Sequence, residues 1–363
     1  MAACQTQIVS PTADFWRGRR VLVTGHTGFK GAWLGLWLSE LGADVTGFAL
    51  APETSPNLFT AAALERRVES MLGDVRDAAS VDRALAESHP EILFHLAAQS
   101  LVRRSYHDPV GTYATNVMGT VHVLDAARRA SGVRAVVIVT SDKCYENREW
   151  WWPYREDEAL GGHDPYSSSK GAAELVTAAW RRSFAAAIGI ASARAGNVIG
   201  GGDWAEDRLV PDCMRSFAAA EPVVIRRPDA LRPWQHVLDP LAGYLRLAER
   251  LVSQPEEHAE AWNFGPGADD ARRVADVVDR LTELWGAGAR WEHDDAEHPH
   301  EAGLLQVDAS KARARLGWRP RLSLDETLAW TVEWYRRFGA GEDAAVISVE
   351  QIERYEALAK EAS

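Results

Sequence analysis

The stretch Arg19-Arg20-Val21-Leu22-Val23-Thr24-Gly25-His26-Thr27-Gly28-Phe29-Lys30-Gly31 runs a short apolar strand into a turn whose glycines are spaced GxxGxxG. Crowded apolar residues at 32–41 predict a helix opening on that turn, and Gly42 supplies the left-handed stop favoured after a helix. Residues 44–50 predict a second strand, which completes one βαβ unit. In such a unit Gly25 permits the tight turn, Gly28 lets the backbone approach a pyrophosphate and Gly31 allows close packing. Thr27, Phe29 and Lys30 complete the loop, and the helix amino end offers unpaired N–H groups to an anion. The dinucleotide rule also asks for an acidic residue closing the second strand, to hold ribose hydroxyls. Gly47-Phe48-Ala49-Leu50 stand there instead, so this criterion leaves both NAD and NADP open.

Outward from the loop the alternation repeats. Helical residues near 81–88 precede a buried strand at 91–98, and a helix at 111–131 precedes the apolar strand 134–141. Strands that read as continuous apolar runs are covered on both faces, the signature of a parallel sheet. A further helix at 166–184 leads to a strand at 189–200. The expected fold class is α/β, a Rossmann-type doubly wound parallel sheet over residues 15–195 with a return segment at 234–265. A smaller carboxyl-terminal substrate-binding domain is expected from 196–233 and 266–345. There Gly, Pro and Trp interrupt shorter elements, and helices are predicted at 240–252, 273–285 and 324–338. Residues 1–14 read as a disordered leader, and 348–360 as an amphipathic helix packed on the surface.

Composition narrows the function. Across 363 residues, 46% hydrophobic and 25% charged content is that of a globular chain. Forty Lys plus Arg against 52 Asp plus Glu gives a net charge of −12, which argues against nucleic acid or an anionic membrane as partner. No run reaches the roughly 18 apolar residues that a membrane span needs. Three widely separated cysteines, Cys4, Cys144 and Cys213, suggest neither a disulfide framework nor a zinc site, and fit a reducing cytoplasm. His293, His298 and His300, with Asp294 and Asp295, read as a polar loop rather than a metal site.

The chemistry concentrates in two places. Tyr166 and Lys170 form a YxxxK pair, four residues apart and so on one face of a helix. A nearby ammonium favours a phenolate, allowing a tyrosine of ordinary pKa about 10 to act as a base near neutrality. Before it, the strand at 134–141 ends in Thr140-Ser141-Asp142-Lys143.

These elements together resemble the extended short-chain dehydrogenase/reductase family. The motifs GHTGFKG, HLAAQSLVRRSY, TSDKCYENREW, DPYSSSKGAAE, RAGNVIGGGDWAEDRLVPD and RPWQHV resemble in particular its CDP-glucose 4,6-dehydratase branch, from about Phe15 to Tyr355. His26, Lys30 and Lys143 separate the chain from the dTDP-glucose branch, which has an acidic residue at the Lys143 position. Ser168 departs mildly, since Asn is commoner there.

The resemblance implies an NAD-dependent hydro-lyase of deoxysugar synthesis. Such an enzyme oxidises sugar carbon 4, eliminates water across carbons 5 and 6, and returns the hydrogen to carbon 6. It implies that Tyr166 takes the 4-hydroxyl proton, that Lys170 lowers its pKa and holds the nicotinamide ribose, and that Ser141 bonds the reacting oxygen. Asp142 would protonate the leaving 6-hydroxyl, and Lys143, its pKa depressed, would take the carbon-5 proton. Asp74 and Val75, Leu96, Ala97 and Ala98, Thr115 and Thr140 would line the cofactor. Gln99, Asn197, Arg208, Leu209, Arg232 and His300 would hold the nucleotide sugar, with arginines gripping its pyrophosphate. Relatives pair through two long helices, here 111–131 and 166–184, so a homodimer or higher homo-oligomer is expected. Two other readings stay open: an epimerase or reductase of the same fold, and a nucleotide-sensing regulator without turnover.

Overall fold

The computed structural model describes residues 11–184, 188–267, 271–294, 296 and 303–361. Its strands are β1 (Arg20–Thr24), β2 (Asp44–Ala49), β3 (Glu69–Leu72), β4 (Ile92–His95), β5 (Ala135–Val139), β6 (Gly189–Ala195), β7 (Asn197–Ile199), β8 (Val223–Ile225), β9 (Leu231–His236), β10 (Ala261–Phe264), β11 (Ala271–Arg273) and β12 (Trp291–His293). Seven of them form one parallel sheet in the order β10-β6-β5-β4-β1-β2-β3. The chain fills one side through β2 and β3, then crosses to place β4 on the other side of β1. That reversal opens a crevice at the carboxyl ends of β1 and β4, where open α/β sheets bind ligands.

Apolar runs become buried strands because helices cover both faces. Phe29–Glu40 is buried continuously from Gly31 to Leu38, since it lies between the sheet and the carboxyl-terminal helix Ala344–Glu361 and has almost no solvent face. The opposite face is covered by Ala78–Ser88, which the Asp77 carboxylate caps, and by Gly119–Arg129. Trp16, Trp33, Trp37, Trp262 and Trp334 are fully buried on the first side.

The single strand expected at 189–200 is divided. β6 belongs to the main sheet, whereas β7 leaves it at Gly196 and pairs with β9 in a small second sheet, β11-β9-β7. The strand-like pattern from 189 to 200 does not show such a change of sheet. β8 and β12 form a third, two-stranded sheet. The expected leader is partly built in: Ala13–Trp16 is a helical turn, and the Glu249 carboxylate accepts hydrogen bonds from Thr12 N and Trp16 Nε1. The terminal helix is likewise no surface appendage. Ile347, Ser348, Gln351, Ile352 and Tyr355 on it are fully buried, and Trp37 Nε1 donates to Glu356 at 2.7 Å. No described helix is long and apolar enough to cross a membrane.

Candidate active site

The turn after β1 is held by backbone geometry that only glycine supplies. Gly25 has φ +79°, and a Cβ there would lie 2.7 Å from Ala97 N; one on Gly31 would lie 2.1 Å from the Gly25 carbonyl oxygen. Gly28 caps the helix with no side-chain bond, so the first N–H groups of Phe29–Glu40 face the crevice without an internal acceptor. Thr27 Oγ1 donates to Leu50 O, which ties the loop to the end of β2. His26 turns inward, bonds Ser70 through Nε2 at 2.7 Å, and burial pushes its imidazole down to about 4. A turn of bare N–H groups with no intruding side chain at Gly25, Gly28 or Gly31 fits a dinucleotide pyrophosphate.

The loop after β5 lies across the same crevice. Ser141 caps a single turn, Asp142–Cys144, by accepting from Lys143 N, and its hydroxyl donates to Asp142 Oδ1 at 2.9 Å. Asp142 is buried, and Lys143 is half-buried at the cavity wall. The helix Pro165–Phe184 begins under Asp164, whose carboxylate accepts from Ser167 N and Ser167 Oγ. Tyr166 and Lys170 therefore sit on its buried face, and Lys170 Nζ reaches Val139 O at 3.4 Å.

Electrostatics differ from the expectation for Tyr166. Burial raises its phenol to about 12, opposed chiefly by the Ser141 hydroxyl and then the Arg208 guanidinium. Lys170 is not among the influences on it; burial brings the Lys170 ammonium itself down to about 8. Lys30 also faces this group. Burial first, then Arg208 and Lys170, push its amine down to about 7, against the pull of Asp142 and Asp203.

One cavity of about 880 Å³ collects these groups. Gly25, Thr27, Gly28, Phe29, Lys30, Gly31, Asp74, Val75, Leu96, Ala97, Ala98, Thr115 and Thr140 line it, as do Ser141, Asp142, Lys143, Tyr166 and Lys170. So do Gln99, Asn197, Arg208, Leu209 and Arg232. His300 lies outside the described residues, with Asp295 and His298. Asp74 is engaged by Arg76, which donates to it from N, Nε and Nη2. Arg208 is pre-set by Asp203 Oδ2 at 2.8 Å and Ser100 Oγ at 2.9 Å. Among the described residues no cluster of three or more His, Cys, Asp or Glu is arranged for a metal ion.

The sequence pattern of the GDP-mannose 4,6 dehydratase family matches residues 22–331. The chain belongs to this family. It is 53% identical to the CDP-glucose 4,6-dehydratase of Salmonella typhimurium over 349 residues, covering 94% of this chain and 97% of that one. Among solved structures it resembles an epimerase of Methanothermobacter thermautotrophicus, with TM-score 0.78 and 25% identity over 90% of this chain and 95% of that one. It also resembles the UDP-glucose 4-epimerase of Thermus thermophilus in complex with NAD, with TM-score 0.75 and 25% identity over 87% and 99%. The family resemblance drawn from the six motifs is borne out.

Within this family site, sequence reasoning passed over residues that hold others in place. Asn116 lies in a widened π turn, Ala114–Met118, and its side chain bonds both Gln99 N and Gln99 O as well as Ser169 Oγ. Asp203 and Ser100 were missed as supports of Arg208, and Glu174 as a support of Thr140. Glu174 had a legible signal: it lies four residues after Lys170 on the same helical face.

Proposed function

We propose that the chain is an NAD-dependent CDP-glucose 4,6-dehydratase that makes CDP-4-keto-6-deoxyglucose for deoxysugar synthesis. The observation that carries this is the loop Ser141-Asp142-Lys143 lining the same cavity as Tyr166 and Lys170. A 4-epimerase has no use for an acid and a base at carbons 6 and 5. The extent of likeness to the Salmonella enzyme supports CDP as the nucleotide.

When bound along Gly25 to Gly31, NAD supplies the acceptor for hydrogen leaving carbon 4 and the donor of hydrogen to carbon 6. Tyr166 takes the proton from the 4-hydroxyl, and Ser141 orients that oxygen. The carbonyl so formed makes the neighbouring carbon-5 hydrogen acidic, so elimination follows oxidation. Lys143 takes that proton and Asp142 delivers one to the departing 6-hydroxyl. Arg208, Arg232 and Asn197 hold the pyrophosphate. Arg208 has a second effect, because its charge beside Tyr166 favours the phenolate.

The chain pairs as a homodimer through the helices at 102–129 and Pro165–Phe184, where Val110, Met118, Leu175 and Phe184 expose large apolar surfaces.

Incubation with CDP-glucose and catalytic NAD tests the activity. A 4-keto sugar, read by its alkali-induced absorbance, is expected without net NADH. NADH rising in step with product would indicate a simple dehydrogenase, and a 4-epimer of unchanged mass would indicate an epimerase.

A further inference from the structure

Behind the reacting groups lies a circuit of buried, hydrogen-bonded polar side chains. Glu174 stands one turn beyond Lys170 and is 2% exposed. Its Oε1 accepts from Thr140 Oγ1 at 2.5 Å, and its Oε2 accepts from Ser192 Oγ and Arg194 Nη2, each at 2.7 Å. Arg194 Nη1 donates to Tyr145 OH at 2.6 Å and to Glu156 O at 3.1 Å, and its guanidinium lies over the Tyr145 ring. Tyr145 OH donates in turn to Asn263 Oδ1 at 2.7 Å. Asn263 Nδ2 then reaches Tyr154 O and Asp308 O.

The circuit joins parts of the site that are distant in sequence. Thr140 immediately precedes Ser141, Asp142 and Lys143, and Tyr145 follows them. Glu174 rides on the helix that carries Tyr166 and Lys170. Burying an ion pair costs desolvation that packing with apolar residues would avoid, so its presence at 2% exposure on both partners is weak evidence for stability. Both oxygens of Glu174 are nevertheless bonded, which fixes the carboxylate in place, while Arg194 Nε is buried without a hydrogen-bond partner.

The charge of Glu174 also reaches the site. Lys170 faces Lys30 from the glycine-loop helix, His95 from β4, and Cys144 from the loop after β5. Burial keeps His95 neutral, with its pKa at about 3, and pushes the Cys144 thiol up so that it too stays neutral. Glu174, held ionised despite burial by Arg194 and by the Thr140 and Ser192 hydroxyls, is the carboxylate that favours the protonated Lys170.

We infer that Glu174, paired with Arg194, is a positioning residue of the reaction: it ties the loop 140–143 to the helix bearing Tyr166 and Lys170, and it sets a counter-charge beneath the Lys170 ammonium. Its place in a reaction rests on the dehydratase reading; its effect on Lys170 does not.

Trace acetylation of Lys170 in the full chain, followed by mass spectrometry across pH 6 to 10, reads the amine directly. Glu174→Gln should move the onset of reactivity down by about one pH unit, the order expected for loss of one nearby charge. In single turnover with CDP-glucose and NAD, the alkaline fall in bound NADH formation should move with it, and the rate at neutral pH should drop about tenfold. Ser192→Ala removes one bond and keeps the carboxylate, so its pH profile should stay in place; a purely structural role would make the two variants alike. If Glu174→Gln does not fold, Glu174→Gln with Arg194→Met replaces the pair without orphaning a charge and should show a displacement in the same direction but smaller, because Glu174 is the nearer charge. A folded variant whose Lys170 profile is unmoved overturns the inference. Failure of the unmodified protein to convert CDP-glucose would overturn the dehydratase reading alone.

Discussion

Tyr166 begins the proposed reaction from an unfavourable position, since burial holds its phenol near 12. The groups that make it a base must therefore be brought to it, and Arg208 and Ser141 are in place to do so. Tyr166→Phe removes the hydroxyl and keeps the ring; formation of bound NADH on adding CDP-glucose should fall at least about a hundredfold. Asp142 and Lys143 act later. Asp142→Asn should still form bound NADH and then stall before water is lost, as mass analysis of the quenched sugar would show. Lys143→Met should stall at the same stage and slow solvent-deuterium exchange at carbon 5; exchange at the normal rate would leave Lys143 as a binding residue. Tyr166 was legible in the YxxxK spacing itself, whereas the roles of Asp142 and Lys143 came from the family resemblance. Asp203 and Asn116 were not legible, and Glu174 was marked only by its place one turn after Lys170, because each acts by holding another side chain, and the bonds from Asn116 to Gln99 and from Glu174 to Thr140 exist only once separate segments meet.

At the scale of elements, the terminal helix Ala344–Glu361 shows how amphipathic patterning can mislead. Its sequence reads as one helix on a surface, but its covered side is tied to Asp239, on the helix Leu238–Ser253, and to Arg321. Tyr355 OH donates to Asp239 Oδ1 at 2.7 Å, Arg321 N donates to the same oxygen at 2.7 Å, and Arg321 Nη1 donates to Tyr355 O. Asp239 Oδ2 is buried without a partner, and burial raises this carboxyl to about 7. The sign follows from linkage. Because the folded pKa lies above the ordinary value of 3.8, the folded chain holds a proton there that the unfolded chain releases. Stability from this group is fully present below pH 3.8, declines as pH rises and is gone above about 7. Asp239→Asn keeps the acceptor oxygen and cannot ionise. Denaturant titrations at pH 5, 6 and 7 should show the natural chain losing about 2 kcal/mol relative to Asp239→Asn over that interval; parallel curves would mean that Asp239 does not titrate there.

For the whole molecule, Val110 and Leu175 are 79% and 61% exposed on neighbouring helices that frame the site. A second copy covering them would place two such helix pairs together as a bundle. Leu175→Glu should shift the chain from dimer to monomer in analytical ultracentrifugation; a monomeric natural chain would remove this interface. The parallel sheet, the glycine turn and the YxxxK face were determined by sequence alone, because each depends on local periodicity or on one residue's conformational freedom. Gly25 in its left-handed turn and Lys170 one helical turn after Tyr166 need no distant partner to be recognised. The departure of β7 from the main sheet, the anchoring of the terminal helix and the Glu174–Arg194 circuit were decided only by tertiary structure. Each joins residues far apart in the chain, and the burial that removes water from between them is what makes their bonds and charges count.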